Sequence, residues 1–355
     1  MRTLTHRIFR TLALLLAVDA AVVATAAVLL TPWLVPVREA VAAQLPFGSA
    51  STQIAWWLAI MVPALVAFVW AQLRYTRAQT MAEVDACVVD SESYPDLHER
   101  VQRLAQLADL TSPEIAVADT DIPNSFAIGT LSSATIIVSE GLLSTLDGDE
   151  LDAVLAHELM HVANRDATVM TLASFLPSLT NGEYDPLDDL LPGGSGSRYA
   201  LGLFGLGIAY VFSARVLDAP FGSLSFTVGF LFLFGFTVLF GGVALGVFTA
   251  PVVVLGRSLS RAREFAADRS AAQLTGDPAA LVAALETLDD VVADRPDADK
   301  RAAYAGVRGL CLLPHGFDTV ESADSLYLET RSHPPTAERI ERLQSVARSL
   351  ETASV

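Results

Sequence analysis

Long apolar stretches separated by polar segments dominate the pattern of this 355-residue chain. Residues 11–37 carry a single charge, Asp19, and residues 40–73 and 219–256 carry none. About 20 apolar residues cross the hydrocarbon core of a bilayer, so these stretches predict membrane-spanning helices. With a further apolar stretch at 199–217, the pattern predicts about four spans, arranged as two hairpins. The last run is longer than one span requires, which leaves a tilted span or a re-entrant segment open.

Basic residues indicate the orientation of these spans. Arginines precede the first span, follow the second and follow the last. The positive-inside rule therefore predicts that the N-terminus and both polar segments, 74–165 and 257–355, are cytoplasmic and can meet in one domain. The first span begins like a signal peptide, but its apolar core from Leu12 to Leu30 exceeds the roughly 7–15 residues of such a peptide. We therefore expect it to be retained.

The polar segments predict helices together with a small sheet. The apolar spacing, the breaks at Asp, Pro and Gly, and the β-branched content distinguish the two kinds of element. The predicted elements are, in chain order, an amphipathic helix at 94–110; strands at 114–119, 124–129 and 134–139; a helix beginning at Asp147 or Asp149 and prolonged by 167–179; a helix beginning at Asp277 and Pro278; and an amphipathic helix within 333–350.

The charge balance is strongly acidic, with 40 Asp and Glu residues against 23 Lys and Arg residues and a net charge of −17. Such acidity argues against nucleic-acid binding. It predicts a solvated acidic surface, and adaptation to high salt, which screens self-repulsion, is a more specific hypothesis. Cys87 and Cys311 form no metal-binding pair and indicate a reducing compartment.

The motif that carries chemistry is "HELMH", residues 157–161. On a helix, His157 and His161 share a face, so their imidazoles can bind one zinc ion, and Glu158 stands close enough to act as the general base for water. The alternative is a helix with two exposed histidines, which requires two of only six histidines to fall at this spacing by chance. The motif therefore favours a metallohydrolase.

A zinc site of this kind needs a third protein ligand. A third histidine at the metzincin spacing is absent from the sequence, so a carboxylate is the other choice. Glu264, directly after the last apolar run, is the best candidate. Asp268 lies four residues later on the same helical face, where it could accept the other ring N–H of His157. A solvated acidic face remains the alternative for this pair.

Taken together, several segments of the chain resemble the HtpX-type integral-membrane zinc metalloproteases, which are relatives of the CAAX prenyl endopeptidases. The resemblance is carried by "NSFAIG", "DELDAVLAHELMHVANRD", "SRAREFAAD", "HPPTAERIERL" and the N-terminal hairpin. It implies one zinc ion per chain bound by His157, His161 and Glu264, with Glu158 as the base and Asp268 supporting His157. It further implies that Asn124 lies beside the substrate, and that His333 and Arg339 stabilise the oxyanion.

The resemblance implies a mainly helical α+β membrane protein with a cytoplasmic zincin-like catalytic domain of the gluzincin type. It would be a multi-pass plasma-membrane endopeptidase for unfolded or damaged membrane proteins. The alternatives are a catalytically silent metal-binding scaffold or chaperone-like protein, a CAAX-type processing protease, and a channel with a soluble appendage. The predicted parts are a transmembrane hairpin at 1–77, the first part of the catalytic domain at 78–180, an acidic insertion at 181–198, a second hairpin at 199–256, and the second part of the catalytic domain at 257–355.

Overall fold

The computed structural model describes residues 2–44, 49–129, 133–181, 195–293 and 334–353. The chain divides into two compact units. The first unit contains Met1–Ala13, Gln72–Phe175 and Val253–Val355, and the second contains Leu14–Ala71 and Leu176–Val252. Segments that are far apart in the sequence therefore fold together in the first unit.

Most of the described residues are helical. The helices are α1 (Arg2–Leu29), α2 (Thr31–Ala42), α3 (Ser49–Glu83), α4 (Pro95–Leu107), α5 (Glu140–Thr145), α6 (Gly148–Asn164), α7 (Asp166–Asn181), α8 (Ser195–Phe212), α9 (Leu224–Thr275), α10 (Pro278–Ala293) and α11 (Thr336–Ala353). The predicted helices at 94–110, from Asp277 and Pro278, and within 333–350 are confirmed as α4, α10 and α11. The predicted insertion at 181–198 lies largely outside the described residues.

A four-stranded sheet belongs to the first unit. Its strands are β1 (Ala86–Val88), β2 (Glu114–Ala118), β3 (Ser125–Gly129) and β4 (Ala134–Ser139), in the spatial order β1-β2-β4-β3. The central strands β2 and β4 are parallel, and each outer strand is antiparallel to its neighbour. The three predicted strands are thus confirmed. Strand β1 was not predicted, because three residues are too few to display an alternating pattern.

The period of two residues along each strand divides the apolar side chains between two cores. Ile115 and Val117 of β2 lie in the larger core, whereas Ala116 and Ala118 lie in the smaller one on the other face. The larger core also contains apolar residues of α4, α5, α6, α9, α10 and α11, among them Leu104, Leu155, Ala271 and Leu281. Burial of this apolar surface fixes α6 against the sheet.

Among the described residues, three helices are long and apolar enough to cross a membrane: His6–Leu29 in α1, Gln53–Ala82 in α3, and Leu224–Thr275 in α9. The fourth predicted span, 199–217, corresponds to the shorter apolar helix Tyr199–Arg215 and stays a prediction. Large apolar side chains on these helices are exposed, including Trp70 at 61% and Phe232 at 75%. Such exposure is expected of side chains that face lipid.

The structure differs from the expected helix limits in two places. Residues 167–179 do not prolong the histidine helix, because Arg165 adopts a left-handed conformation with φ of 57° and a new helix, α7, begins at Asp166. The last apolar run and the polar residues after it form one continuous helix of 52 residues, α9, which includes Pro251. At 1.5 Å per residue this helix is about 78 Å long, well beyond the bilayer core of about 30 Å.

Candidate active site

Helix α6 presents the two histidines toward one point. It begins at Gly148, and Asp149 and Glu150 in its first turn complement the positive end of the helix dipole. His157 and His161 lie one turn apart, with their Nε2 atoms 3.1 Å apart and their rings nearly perpendicular at 83°. Their exposures are only 1% and 7%, so the pair is a buried feature of the core and not a solvated helical face.

Glu264 of α9 closes a triangle with these imidazoles. Its Oε2 atom lies 3.5 Å from Nε2 of His157, and its Oε1 atom lies 3.6 Å from Nε2 of His161. In a tetrahedral zinc site with ligand bonds of about 2.0–2.1 Å, neighbouring ligand atoms are roughly 3.3–3.5 Å apart. The three residues therefore have the spacing that a tetrahedral metal ion requires, and one potential ligand atom from each lies within 4.8 Å of the others.

Asp268, one turn after Glu264, contacts the other side of the His157 ring. Its Oδ1 atom is 2.9 Å from Nδ1 of His157, a distance at which the carboxylate favours a proton on Nδ1 and therefore a lone pair on Nε2. This contact favours the tautomer that a metal ligand needs.

The charges of the site favour a bound cation. Burial lowers the pKa of His157, but the hydrogen bonds with Asp268 and Glu264 outweigh it and raise that pKa to about 9. The same carboxylates that stabilise a proton on this ring would stabilise a metal ion beside it. Three buried carboxylates, on Glu158, Glu264 and Asp268, face two buried guanidiniums, so a divalent ion would offset the excess negative charge.

The two guanidiniums belong to Arg263 and Arg339. Arg263 donates from Nη2 to Oε1 of Glu264 at 3.1 Å. Arg339 of α11 holds Asp268 with two hydrogen bonds, from Nε to Oδ2 at 2.9 Å and from Nη2 to Oδ1 at 2.7 Å. These bonds hold Arg339 against Asp268, the carboxylate that contacts His157. The expected role of Arg339 in stabilising the oxyanion stays a prediction. His333 lies outside the described residues.

Glu158 is held by a residue that the sequence analysis did not single out. Ser125, the first residue of β3, donates from Oγ to Oε1 of Glu158 at 2.7 Å, and both side chains are buried. Arg263 was also not anticipated as part of the site. Sequence spacing gives no signal for the serine, because its contact joins a strand to a helix 33 residues later.

Asn124 lies directly before β3 and is 7% exposed. Its backbone N–H donates to Oγ of Ser139 at 2.9 Å, and its own Oδ1 accepts the backbone N–H of Ser125 at 2.9 Å. The residue therefore caps the strand that packs against α6. Its expected contact with substrate stays a prediction.

The site combines a buried histidine pair, a carboxylate from a distant helix and an adjacent glutamate, as expected of a metal-dependent hydrolase, here on a chain with candidate membrane helices. Comparison with known proteins agrees. The chain belongs to peptidase family M48, whose family model matches residues 91–183 and 208–347. It is a zinc metalloprotease, and the resemblance to HtpX-type proteases is confirmed.

Individual relatives align with most of the chain. Protease HtpX homolog 1 of Streptomyces coelicolor is 34% identical over 251 residues, which cover 70% of this chain and 71% of the relative. Protease HtpX homolog 2 of Methanosarcina mazei is 32% identical over 286 residues, covering 80% and 83%. A crystal structure of S. mikatae Ste24p is 18% identical with a TM-score of 0.37, covering 82% of this chain and 64% of that protein.

Proposed function

We propose that this membrane-bound metalloprotease is an endopeptidase that binds one zinc ion through His157, His161 and Glu264. The observation that carries the proposal is the triangle of ligand atoms, with separations of 3.1, 3.5 and 3.6 Å, built partly on the helix that also carries Glu158. Two imidazoles and one carboxylate are a ligand set that zinc accepts in hydrolases, and they leave a coordination position open. When bound, zinc would act as a Lewis acid toward the scissile carbonyl and would acidify a water molecule.

Proton transfer and the positioning of the ligands are the roles of the protein side chains. Glu158 accepts the proton of the attacking water and delivers it to the leaving amine, as a general base and then a general acid. Asp268 keeps the Nδ1 proton of His157 in place, so that Nε2 remains a ligand. Arg263 donates a hydrogen bond to Glu264 and helps to hold that carboxylate toward the histidines.

Strand β3 is the proposed binding edge for an extended substrate. Among the described residues it pairs only with β4, and it packs against α6 beside Glu158. A polypeptide could therefore add to the sheet by backbone hydrogen bonds, with Asn124 at the start of the edge. The residues of β3 are buried, so the proposed pairing with a substrate would use its backbone and not its side chains.

The substrate class follows from the same features and from the family. Backbone pairing reads no particular side chain, which suits segments that have lost their own structure. Membrane anchoring by apolar helices suits substrates that are themselves in the membrane, so we propose unfolded or damaged membrane proteins. The arginines at the span ends support a multi-pass plasma-membrane protein whose N-terminus and catalytic unit are cytoplasmic.

The test is hydrolysis of an unfolded protein by the purified chain in detergent. We expect a chelator to abolish cleavage and added zinc to restore it, and we expect Glu158→Gln to abolish cleavage while retaining the metal. Glu286→Gln is the matched control, because it makes the same chemical change on the exposed face of α10. Cleavage that survives both chelation and Glu158→Gln would show that this site is not the active site. A Glu158→Gln variant that keeps its cellular phenotype would favour the silent scaffold.

A further inference from the structure

Ser125 makes an unusual contact for a residue on the core face of a strand. Its hydroxyl is 2.7 Å from Oε1 of Glu158, and the two residues are 0% and 2% exposed. A hydroxyl donor to an ionised carboxylate is among the stronger hydrogen bonds in proteins, and in a buried site water does not compete with it.

The alternation along β3 makes the presence of a serine here informative. Phe126 and Ile128 lie in the smaller core, whereas Ala127 lies in the larger core that contains α6. Because side chains two residues apart share a face, Ser125 points to the same side as Ala127. An apolar residue would satisfy this position, and a buried hydroxyl there is unfavourable unless it is hydrogen-bonded. Its described side-chain partner is Glu158.

The backbone around Ser125 is held from several directions. Its N–H donates to Oδ1 of Asn124 at 2.9 Å, and the residue pairs with Val138 across the antiparallel ladder. Asn124 is itself joined to Ser139 by two hydrogen bonds, of 2.9 and 3.0 Å. The serine hydroxyl is therefore presented from a fixed strand end and not from a mobile loop.

We propose that Ser125 is a positioning residue for catalysis: its hydroxyl binds Oε1 of Glu158 and so holds the carboxylate with Oε2 available to the attacking water. This inference rests on the proposed role of Glu158 as the base. A carboxylate side chain without such a partner samples several rotamers, and only some of them place an oxygen within hydrogen-bond reach of the water. Fixing one oxygen selects the productive orientation of the other.

The direct test is Ser125→Ala in the zinc-loaded enzyme. We expect kcat to fall about 10- to 100-fold, the range typical for loss of a hydrogen-bonding partner behind a reacting group, with KM unchanged. Metal content and affinity, measured by chelator competition, should equal those of the wild type, because Ser125 touches none of the three proposed ligands in the described contacts. Ser125→Thr keeps the hydroxyl and should recover most of kcat.

A second comparison separates positioning from a structural role. In a Glu158→Gln background, Ser125→Ala should leave the residual rate in single-turnover measurements unchanged, because there is no base to orient. The affinity of Glu158→Gln for an unfolded peptide, measured by fluorescence anisotropy, should likewise be the same with and without the serine. If the alanine variant does not fold, Ser125→Cys makes the same test, since a thiol is similar in size but a weaker donor.

Three results would overturn the inference: an unchanged kcat in Ser125→Ala, an equal fall in rate in both backgrounds, or a loss of metal or peptide binding that accounts for the fall. Failure of the underlying function gives a different result, because Glu158→Gln would then remain active. An active Ser125→Ala beside an inactive Glu158→Gln would reject the role of the serine alone.

Discussion

The clearest energetic consequence of this structure concerns Arg339, which joins the C-terminal helix α11 to the metal site. Its guanidinium makes two hydrogen bonds to Asp268, of 2.9 and 2.7 Å, and both residues are buried at 2% and 3% exposure. One turn further along α11, Arg342 lies 3.5 Å above the ring of Phe265. The two helices are therefore joined in antiparallel register at two points.

Replacing Arg339 by methionine keeps an apolar chain of similar length and removes the charge. Asp268 would then be a buried carboxylate with His157 as its remaining described partner. Breaking a buried ion pair by removing one partner typically costs about 3–5 kcal/mol, a large part of the roughly 5–15 kcal/mol that stabilises a protein domain. Because Asp268 also orients His157, we expect the metal dissociation constant to rise about 10- to 100-fold.

The assay is thermal unfolding in detergent, with excess chelator and with excess zinc, combined with a chelator competition for metal affinity. Arg342→Met is the matched control, because its side chain is 55% exposed and its loss should cost less than about 1 kcal/mol. The double variant Asp268→Leu with Arg339→Met removes both charges and should recover stability without recovering metal affinity.

Stability and metal affinity should therefore fall together in Arg339→Met. If stability and metal affinity both remain at wild-type values while kcat alone falls, the role of Arg339 is not to hold Asp268. That outcome would support the expectation from the family resemblance, in which Arg339 stabilises the oxyanion.

Four further outcomes follow from the structure and the charge pattern. Glu264→Ala should fold but bind metal far more weakly, as measured by metal analysis, since two imidazoles alone leave zinc one ligand short. Gly141→Ala should lower the free energy of unfolding by about 1–3 kcal/mol, because its Cβ would lie 2.2 Å from the carbonyl oxygen of Asp121. Cys87, exposed on β1, should react in intact cells of a Cys311→Ser variant only with a membrane-permeant thiol reagent if the catalytic unit is cytoplasmic. Cleavage should be faster at high than at low salt if the acidic surface is an adaptation; a maximum at low ionic strength would reject that hypothesis.

The sequence predicted those elements whose signal is local. The apolar, β-branched content of "ATIIVS" suffices to predict β4, which is buried along nearly its whole length. The apolar spacing in "YPDLHERVQRLAQL" suffices to predict α4, which buries one face. Strand β1 has no such signal: it exists because Ala86 to Val88 pair with β2. The sequence also gives no signal for the helix break at Arg165. Apolar residues continue on both sides of it, and only the left-handed backbone separates α6 from α7.

The site residues likewise divide into those that local spacing predicts and those whose positions depend on packing between distant segments. The spacing of His157 and His161 predicts their shared face, because a helix fixes the geometry of residues four apart. The position of Glu264 depends on packing across more than 100 residues of intervening chain. Spacing alone therefore did not distinguish a metal ligand from a residue on a solvated helical face, and the family resemblance favoured the ligand. Ser125 could not be anticipated in either way, since its contact with Glu158 arises from the packing of β3 on α6.

Packing within one unit explains how so distant a carboxylate reaches the histidines. Glu264 and Asp268 occupy one face of α9, and Ala267 and Ala271 lie beside them in the larger core, which also contains Leu159 of α6. Packing of α6 and α9 side chains in this shared core therefore places Glu264 relative to the histidines. The chain between the ligands leaves this unit at Phe175 and re-enters it at Val253. The length and composition of that intervening segment can therefore change while the three residues keep the packing that sets their separations.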